Sequence, residues 1–70
     1  MPEPTIRLNG AETPLRAATL AALIAEHAPS ADGRGVAAAV NGAVVRRAEW
    51  ANVTLAPGDA VEIVLARQGG

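Results

Sequence analysis

The amino-acid sequence predicts an α+β roll, in which one main helix packs across a mixed sheet of four to five strands. Two Asn-Gly dipeptides each lie between short runs that can pair, which is a strong local signal for a β-hairpin. A segment between them has apolar residues at the spacing of an amphipathic helix. Because a hairpin cannot bury its apolar face alone, we expect the helix to cover one face of a single sheet.

The first hairpin is predicted near the start of the sequence. Thr5 to Leu8 alternate polar and apolar side chains, as a half-buried strand does. Asn9-Gly10 tolerates positive φ at both central positions of a type I′ turn, so the chain is expected to fold back through Ala11 to Leu15. Pro14 cannot donate a ladder hydrogen bond, which predicts that this second strand lies at a sheet edge.

The helix is predicted to begin after Thr19, whose hydroxyl suits an N-cap position. Its apolar stripe follows at positions i, i+3, i+4 and i+7 and comprises Leu20, Leu23, Ile24 and His27. Pro29 is expected to end the helix, because proline cannot continue the backbone hydrogen-bond pattern. The segment from Pro29 to Gly35 holds most of the chain's loop formers and is predicted to be its most mobile internal loop.

A second hairpin is predicted in the middle of the chain. Val36 to Val40 form a short apolar run, and Asn41-Gly42 gives the same turn signal as before, leading into Ala43 to Val45. Arg46 to Ala51 interrupts the alternation, which favours a single helical turn.

The last strand is predicted over Ala60 to Ala66, where large apolar residues alternate with other residues. Before it, Val53 to Leu55 is expected to be a short extended piece, and Asp59 is expected to close the turn at Pro57 to Asp59. The first and last strands have the clearest alternation, so we place them side by side in the middle of the sheet. The predicted core then consists of Ile6, Leu8, Val61, Ile63 and Leu65 facing Leu20, Leu23 and Ile24.

Composition excludes several classes of function. The 70 residues suffice for one domain and include no cysteine, so the chain has neither a disulfide nor a thiol to carry sulfur. Six arginines and no lysine against seven acids give a net charge of −1, which provides no basic field for nucleic acid or an anionic membrane. No apolar run approaches the length of a membrane span, and no signal region is evident. We expect a cytoplasmic domain that binds neither nucleic acid nor membrane.

The C-terminal residues are the candidate functional site of the molecule. We predict a single domain over residues 1–66 and a flexible tail over residues 67–70, which ends in Gly69 and Gly70. Two residues without side chains make a filament slender enough for a narrow channel. A carboxylate becomes an electrophile when ATP converts it to an acyl adenylate, which then accepts sulfur or an amine. The alternative is a frayed terminus without a function.

Val64 and Trp50 are the other residues that suggest a binding role. Val64 points opposite Ile63, so a helix on one face of the sheet leaves it as an exposed apolar side chain suited to docking. Trp50 is the single aromatic residue and either caps the core or anchors a partner.

The order of these motifs resembles the thiamin-biosynthesis sulfur carrier family, ThiS, over nearly the whole chain. The resemblance is carried by the following segments in their order and spacing: Ile6 to Gly10, Thr19-Leu20, Val40 to Gly42, Leu55 to Asp59, Val61 to Val64 and Gln68 to Gly70. It implies a β-grasp (ubiquitin-like) roll, in agreement with the fold predicted above.

The resemblance also implies a function for the tail. Gly70 would be adenylated with ATP by a ThiF-type E1-like adenylyltransferase and converted to a thiocarboxylate, with sulfur from a donor such as a cysteine desulfurase. The thiocarboxylate would pass its sulfur to thiazole synthase (ThiG). The chain would then be a protein co-substrate rather than an enzyme, with no bound cofactor or metal. Partner contacts are expected at Gly69, Gln68, Arg67 and Val64.

Three alternative functions are open. The small subunit of molybdopterin synthase is a related sulfur carrier that also ends in two glycines, although it usually has phenylalanine in its first helix and this chain has none. A ubiquitin-like modifier would join Gly70 to a lysine of a target protein. A binding module with an idle terminus would have the same fold.

Overall fold

A computed structural model describes residues 3–27 and 35–65 of the chain. Within these residues the chain forms five strands, one α-helix and one 3-10 helix. In chain order they are β1 (Thr5–Leu8), β2 (Ala11–Pro14), α1 (Leu20–His27), β3 (Val36–Val40), β4 (Ala43–Val45), the 3-10 helix (Arg47–Asn52) and β5 (Ala60–Leu65). The predicted loop from Pro29 to Gly35 lies outside the described residues, apart from Gly35 itself.

The five strands form one mixed sheet in the order β2-β1-β5-β3-β4. β1 and β5 run parallel, whereas the other neighbouring strands are antiparallel. α1 packs across one face, so the predicted β-grasp roll is confirmed. The first and last strands are neighbours as expected, with β5 at the centre of the sheet, and β2 with Pro14 forms an edge.

The two hairpin turns have the backbone conformation that their sequences predict. The φ angles are 51° at Asn9 and 87° at Gly10, and they are 52° at Asn41 and 85° at Gly42. Positive φ at both central residues is the requirement of a type I′ turn, and few residues other than asparagine and glycine tolerate it. The local sequence therefore accounts for the turn conformation of both hairpins.

The core lies between α1 and the sheet. Leu20, Leu23 and Ile24 form the buried stripe of α1. They belong to one cluster of buried apolar residues, whose other members are Ile6, Ala17, Ala38, Trp50, Leu55, Val61 and Ile63. The predicted core is confirmed for six side chains, namely Ile6, Leu20, Leu23, Ile24, Val61 and Ile63. Leu8, also predicted, packs against the cluster and is half-buried.

Leu65 is the exception, because 54% of its surface is exposed and its predicted place in the core is wrong. It lies on the helix side of the sheet, as the alternation with Ile63 requires, and pairs with Val36 of β3. However, α1 ends at His27, and His27 and Leu65 line one shallow depression. The helix does not cover the end of β5.

Candidate functional site

The tail residues predicted to act, Arg67, Gln68, Gly69 and Gly70, lie outside the described residues. The structure therefore describes the strand that precedes the tail rather than the tail itself. That strand is β5, which is described as far as Leu65 and is the central strand of the sheet. Two asparagine side chains and one exposed apolar patch lie along this strand.

Asn41 holds the beginning of β5. Its backbone N–H donates to the carbonyl of Ala60 at 2.7 Å, and its side-chain Oδ1 accepts from the N–H of Ala60 at 2.9 Å. Its Nδ2 also donates to Oδ1 of Asp59 at 3.1 Å. The residue that forms the second hairpin turn thus also fixes where the last strand begins.

Asn9 forms hydrogen bonds with β5 at Val61 and Ile63. Its backbone N–H donates to the carbonyl of Val61 at 2.9 Å. Its side-chain Oδ1 accepts from the N–H of Ile63 at 2.9 Å, and its Nδ2 donates to the carbonyl of Ile63 at 3.2 Å. Sequence reasoning assigned Asn9 and Asn41 to their turns alone and missed these contacts. The available signal was the choice of asparagine, rather than glycine, as the first turn residue in both hairpins.

The turn before β5 is closed by Asp59, as predicted. Oδ2 of Asp59 accepts from the N–H of Ala56 at 2.9 Å, and the Asp59 N–H donates to the Ala56 carbonyl at 3.1 Å. Gly58 has a φ of 89°, which a residue with a β-carbon rarely adopts. Asp59 therefore serves the turn, and through Asn41 it is tied to the second hairpin.

The face of the sheet opposite α1, here called the open face, has an apolar half on the β5-β3-β4 side. We call this half the apolar patch and define it by Ala37, Ala39, Val44 and Val64. Val64 is 60% exposed and Val44 80% exposed, which confirms the prediction that Val64 is an exposed apolar side chain. The patch forms a shallow depression of about 200 Å³, which Glu62 also lines. Its role in docking stays a prediction.

The other half of the open face is polar. Thr5 and Arg7 of β1 lie there beside Glu12 of β2, and Oγ1 of Thr5 donates to Oε2 of Glu12 at 3.1 Å. One side of the sheet thus has two surfaces of different chemistry. Only the apolar half includes residues of β5 and so lies on the strand that leads to the tail.

Trp50 and His27 do not lie on the open face. Trp50 is 7% exposed, and its Nε1–H donates to the carbonyl of Val45 at 2.9 Å, so it caps the core. His27 is exposed in the last turn of α1, where a basic residue favours the negative end of the helix dipole.

Metal-ligating clusters and membrane-spanning helices are absent from the described residues. Among residues 3–27 and 35–65, no group of three or more histidine, cysteine, aspartate or glutamate residues is placed to hold a metal ion. In the same part of the chain, no helix has the length and apolar character needed to cross a membrane.

Comparison with known proteins gives a family match and similar solved structures. The model of the ThiS family matches residues 5–70. A crystal structure of a thiamine biosynthesis protein (ThiS) from Geobacter metallireducens is similar, with a TM-score of 0.72 and 26% sequence identity. The match covers 94% of this chain and 99% of that one. The search of curated proteins gives no significant match.

Proposed function

Since this chain belongs to the ThiS family, the sulfur carriers of thiamin biosynthesis, we propose that it carries sulfur as a thiocarboxylate on Gly70. The observation that carries the proposal is the extent of the family match, which runs through Gln68, Gly69 and Gly70. The composition supports it, because a chain without cysteine has no thiol to hold a persulfide.

The chemistry begins with an unreactive group. A carboxylate repels nucleophiles, so an E1-like adenylyltransferase of the ThiF type must first activate it. One carboxylate oxygen of Gly70 attacks the α-phosphate of ATP and pyrophosphate leaves. A persulfide sulfur, supplied from a donor such as a cysteine desulfurase, then attacks the acyl carbon and expels AMP, which gives an acyl disulfide. A thiol attacks the S–S bond of the acyl disulfide, forms a disulfide with the donor sulfur and displaces the acyl-bound sulfur. The product is a thiocarboxylate, whose sulfur passes to thiazole synthase (ThiG). The chain binds no cofactor of its own in this scheme, and it is a co-substrate of both enzymes.

The apolar patch is the proposed docking surface for the activating enzyme. Val64 lies on β5, six residues before Gly70, so at about 3.3 Å per residue the reacting carbon lies at most roughly 20 Å from it. An enzyme that holds the patch therefore has the tail within reach of its nucleotide site. Arg67, Gln68 and Gly69 then occupy the passage to that site, where a residue without a β-carbon fits the narrowest part.

Intact-mass measurement tests the proposal. The chain is incubated with extract of its own cells, ATP and cysteine as the sulfur source, and its mass is then recorded. We expect an increase equal to the difference between one sulfur and one oxygen atom, and we expect it to disappear without ATP. A chain that lacks Gly70 is the control and should stay unchanged.

Other outcomes would support the alternatives. An adduct the size of another protein would indicate a modifier, and an unchanged wild-type mass would contradict a carrier. A strain without Gly70 should require thiamin for growth. If it lost molybdenum-enzyme activity instead, the chain would serve molybdopterin synthase.

A further inference from the structure

The central strand β5 is supported unequally by its two neighbours. On one side, β3 pairs with it along its length, as far as the pair Val36 and Leu65. On the other side, the β1 register ends at the pair Leu8 and Val61, because the chain turns away at Asn9. The last part of β5, just before the tail, would therefore have a strand beside it on one side only.

The side chain of Asn9 occupies the place where β1 would have continued. Alternate residues of a strand direct their backbone N–H and C=O groups to the same neighbour. Val61 accepts from Asn9 on the β1 side, so Ile63 also faces that side. The Asn9 amide offers one acceptor and one donor, and it bonds both backbone groups of Ile63, at 2.9 and 3.2 Å. In a continued parallel ladder these two groups of Ile63 would bond two different β1 residues, and the single Asn9 amide takes the place of both.

We infer that Asn9 is a positioning residue, whose side-chain amide fixes the end of β5 and so the direction in which the chain leaves the sheet towards Gly70. The inference rests on the proposed function, since it concerns how the tail is presented to the activating enzyme. A strand end that is ordered before binding need not be ordered during binding, and this lowers the entropic cost of association. Loss of the amide should therefore weaken productive binding and leave the chemical step unchanged.

Asn41 provides a matched control within the same chain. It has the same position in its own Asn-Gly turn and nearly the same φ, 52° against 51° for Asn9. Its side chain also bonds the backbone of β5, but at Ala60, where the strand begins. Glycine tolerates positive φ, so Asn9→Gly and Asn41→Gly each remove a side-chain amide from β5 without straining the turn. Asn9→Gly removes side-chain bonds at Ile63, near the end of the strand, whereas Asn41→Gly removes the bond at Ala60, where the strand begins.

Hydrogen exchange tests the structural part of the inference. In Asn9→Gly, exchange of the Ile63 amide should accelerate roughly tenfold beyond any global change in stability, since its acceptor is gone. In Asn41→Gly, the Ala60 amide should accelerate instead. If Ile63 exchanges at the same rate in both variants, the side chain of Asn9 does not fix the strand end and the inference is wrong.

A competition experiment tests the functional part. Equal amounts of wild-type and variant chain, which differ in mass, are mixed below saturation in one cell extract with ATP and cysteine. The ratio of the two thiocarboxylate products gives the ratio of kcat/KM directly. We expect Asn9→Gly to be disfavoured by roughly five- to tenfold and Asn41→Gly by less than twofold. Asn9→Asp keeps the acceptor for the Ile63 N–H, so it should fall between wild type and Asn9→Gly.

Rates at saturation separate binding from chemistry. At saturating carrier, Asn9→Gly and wild type should form product at the same rate, which indicates a change in KM alone. If wild type is converted and the two glycine variants compete equally well, this inference fails and the proposed function stands. If wild type gains no sulfur at all, the proposed function fails and the inference fails with it.

Discussion

The sequence leaves two interpretations of Trp50, a cap on the core or an anchor for a partner, and the structure favours the first. It is the single aromatic side chain and lies in the core, with its Nε1–H bonded to the Val45 carbonyl of the edge strand β4. Because the indole joins the 3-10 helix to β4, its contribution comes from both apolar contact and the hydrogen bond. This indicates a structural role rather than an exposed anchor for a partner.

We predict that Trp50→Phe lowers the free energy of unfolding by about 2 kcal/mol, since it loses the hydrogen bond to Val45 and part of the ring's contacts. Urea unfolding followed by circular dichroism measures the change, because the variant has no tryptophan fluorescence. Val44→Ala is the control: Val44 is 80% exposed, so its truncation should change stability by less than about 0.5 kcal/mol. Equal stability of Trp50→Phe and wild type would contradict this account.

At the scale of single elements, the start of α1 depends on one hydroxyl. Oγ1 of Thr19 accepts from the N–H of Ala22 at 3.2 Å, which satisfies one of the unpaired donors in the first turn. We predict that Thr19→Ala lowers the free energy of unfolding by about 1 kcal/mol, measured by urea titration. Thr19→Ser keeps the hydroxyl and should retain most of the stability. If both variants lose the same amount, the cap contributes nothing and the threonine methyl group matters instead.

The elements differ in how far the sequence predicts them. The hairpins and α1 follow from local signals, namely Asn-Gly turns, the N-cap Thr19 and the 3.6-residue stripe, and these are confirmed. The exception is His27, the last position of the predicted stripe, which is exposed. The exposure of Leu65 could not be predicted in this way. Alternation gives the side of the sheet on which a residue lies, but it does not say how far the helix extends over that side.

The hydrogen bonds from the two turn asparagines to β5 could not be predicted from the local sequence either. Asn9 and Ile63 are 54 residues apart, and their contact exists only because the parallel pairing of β1 and β5 brings them together. The sequence did predict Val64 as an exposed apolar residue, since one helix can cover only one face of the sheet. It did not predict that Val44, Ala37 and Ala39 would extend this position into a patch, because that requires the register of β3 with its two neighbours.

At the scale of the whole molecule, the two faces of the sheet differ in burial and chemistry. The helix face holds the buried cluster and so provides the stability of the domain. The open face is the one opposite α1, and its apolar patch includes Val64 of the strand that leads to the tail. A substitution on the open face should therefore change how partners bind without changing the fold. This separation makes the docking role of the patch directly testable.

We predict that Val64→Arg lowers kcat/KM for thiocarboxylate formation at least roughly tenfold, because a partner seated on the patch would bury an unpaired charge. Stability should stay within about 0.5 kcal/mol of wild type, since Val64 is 60% exposed. Ala22→Arg is the control, because it adds the same charge at an exposed position of α1, on the opposite face. Competition against wild type in cell extract measures both variants. Equal losses in the two would show that net charge matters rather than the patch, and unchanged turnover of Val64→Arg would place the docking surface elsewhere on the domain.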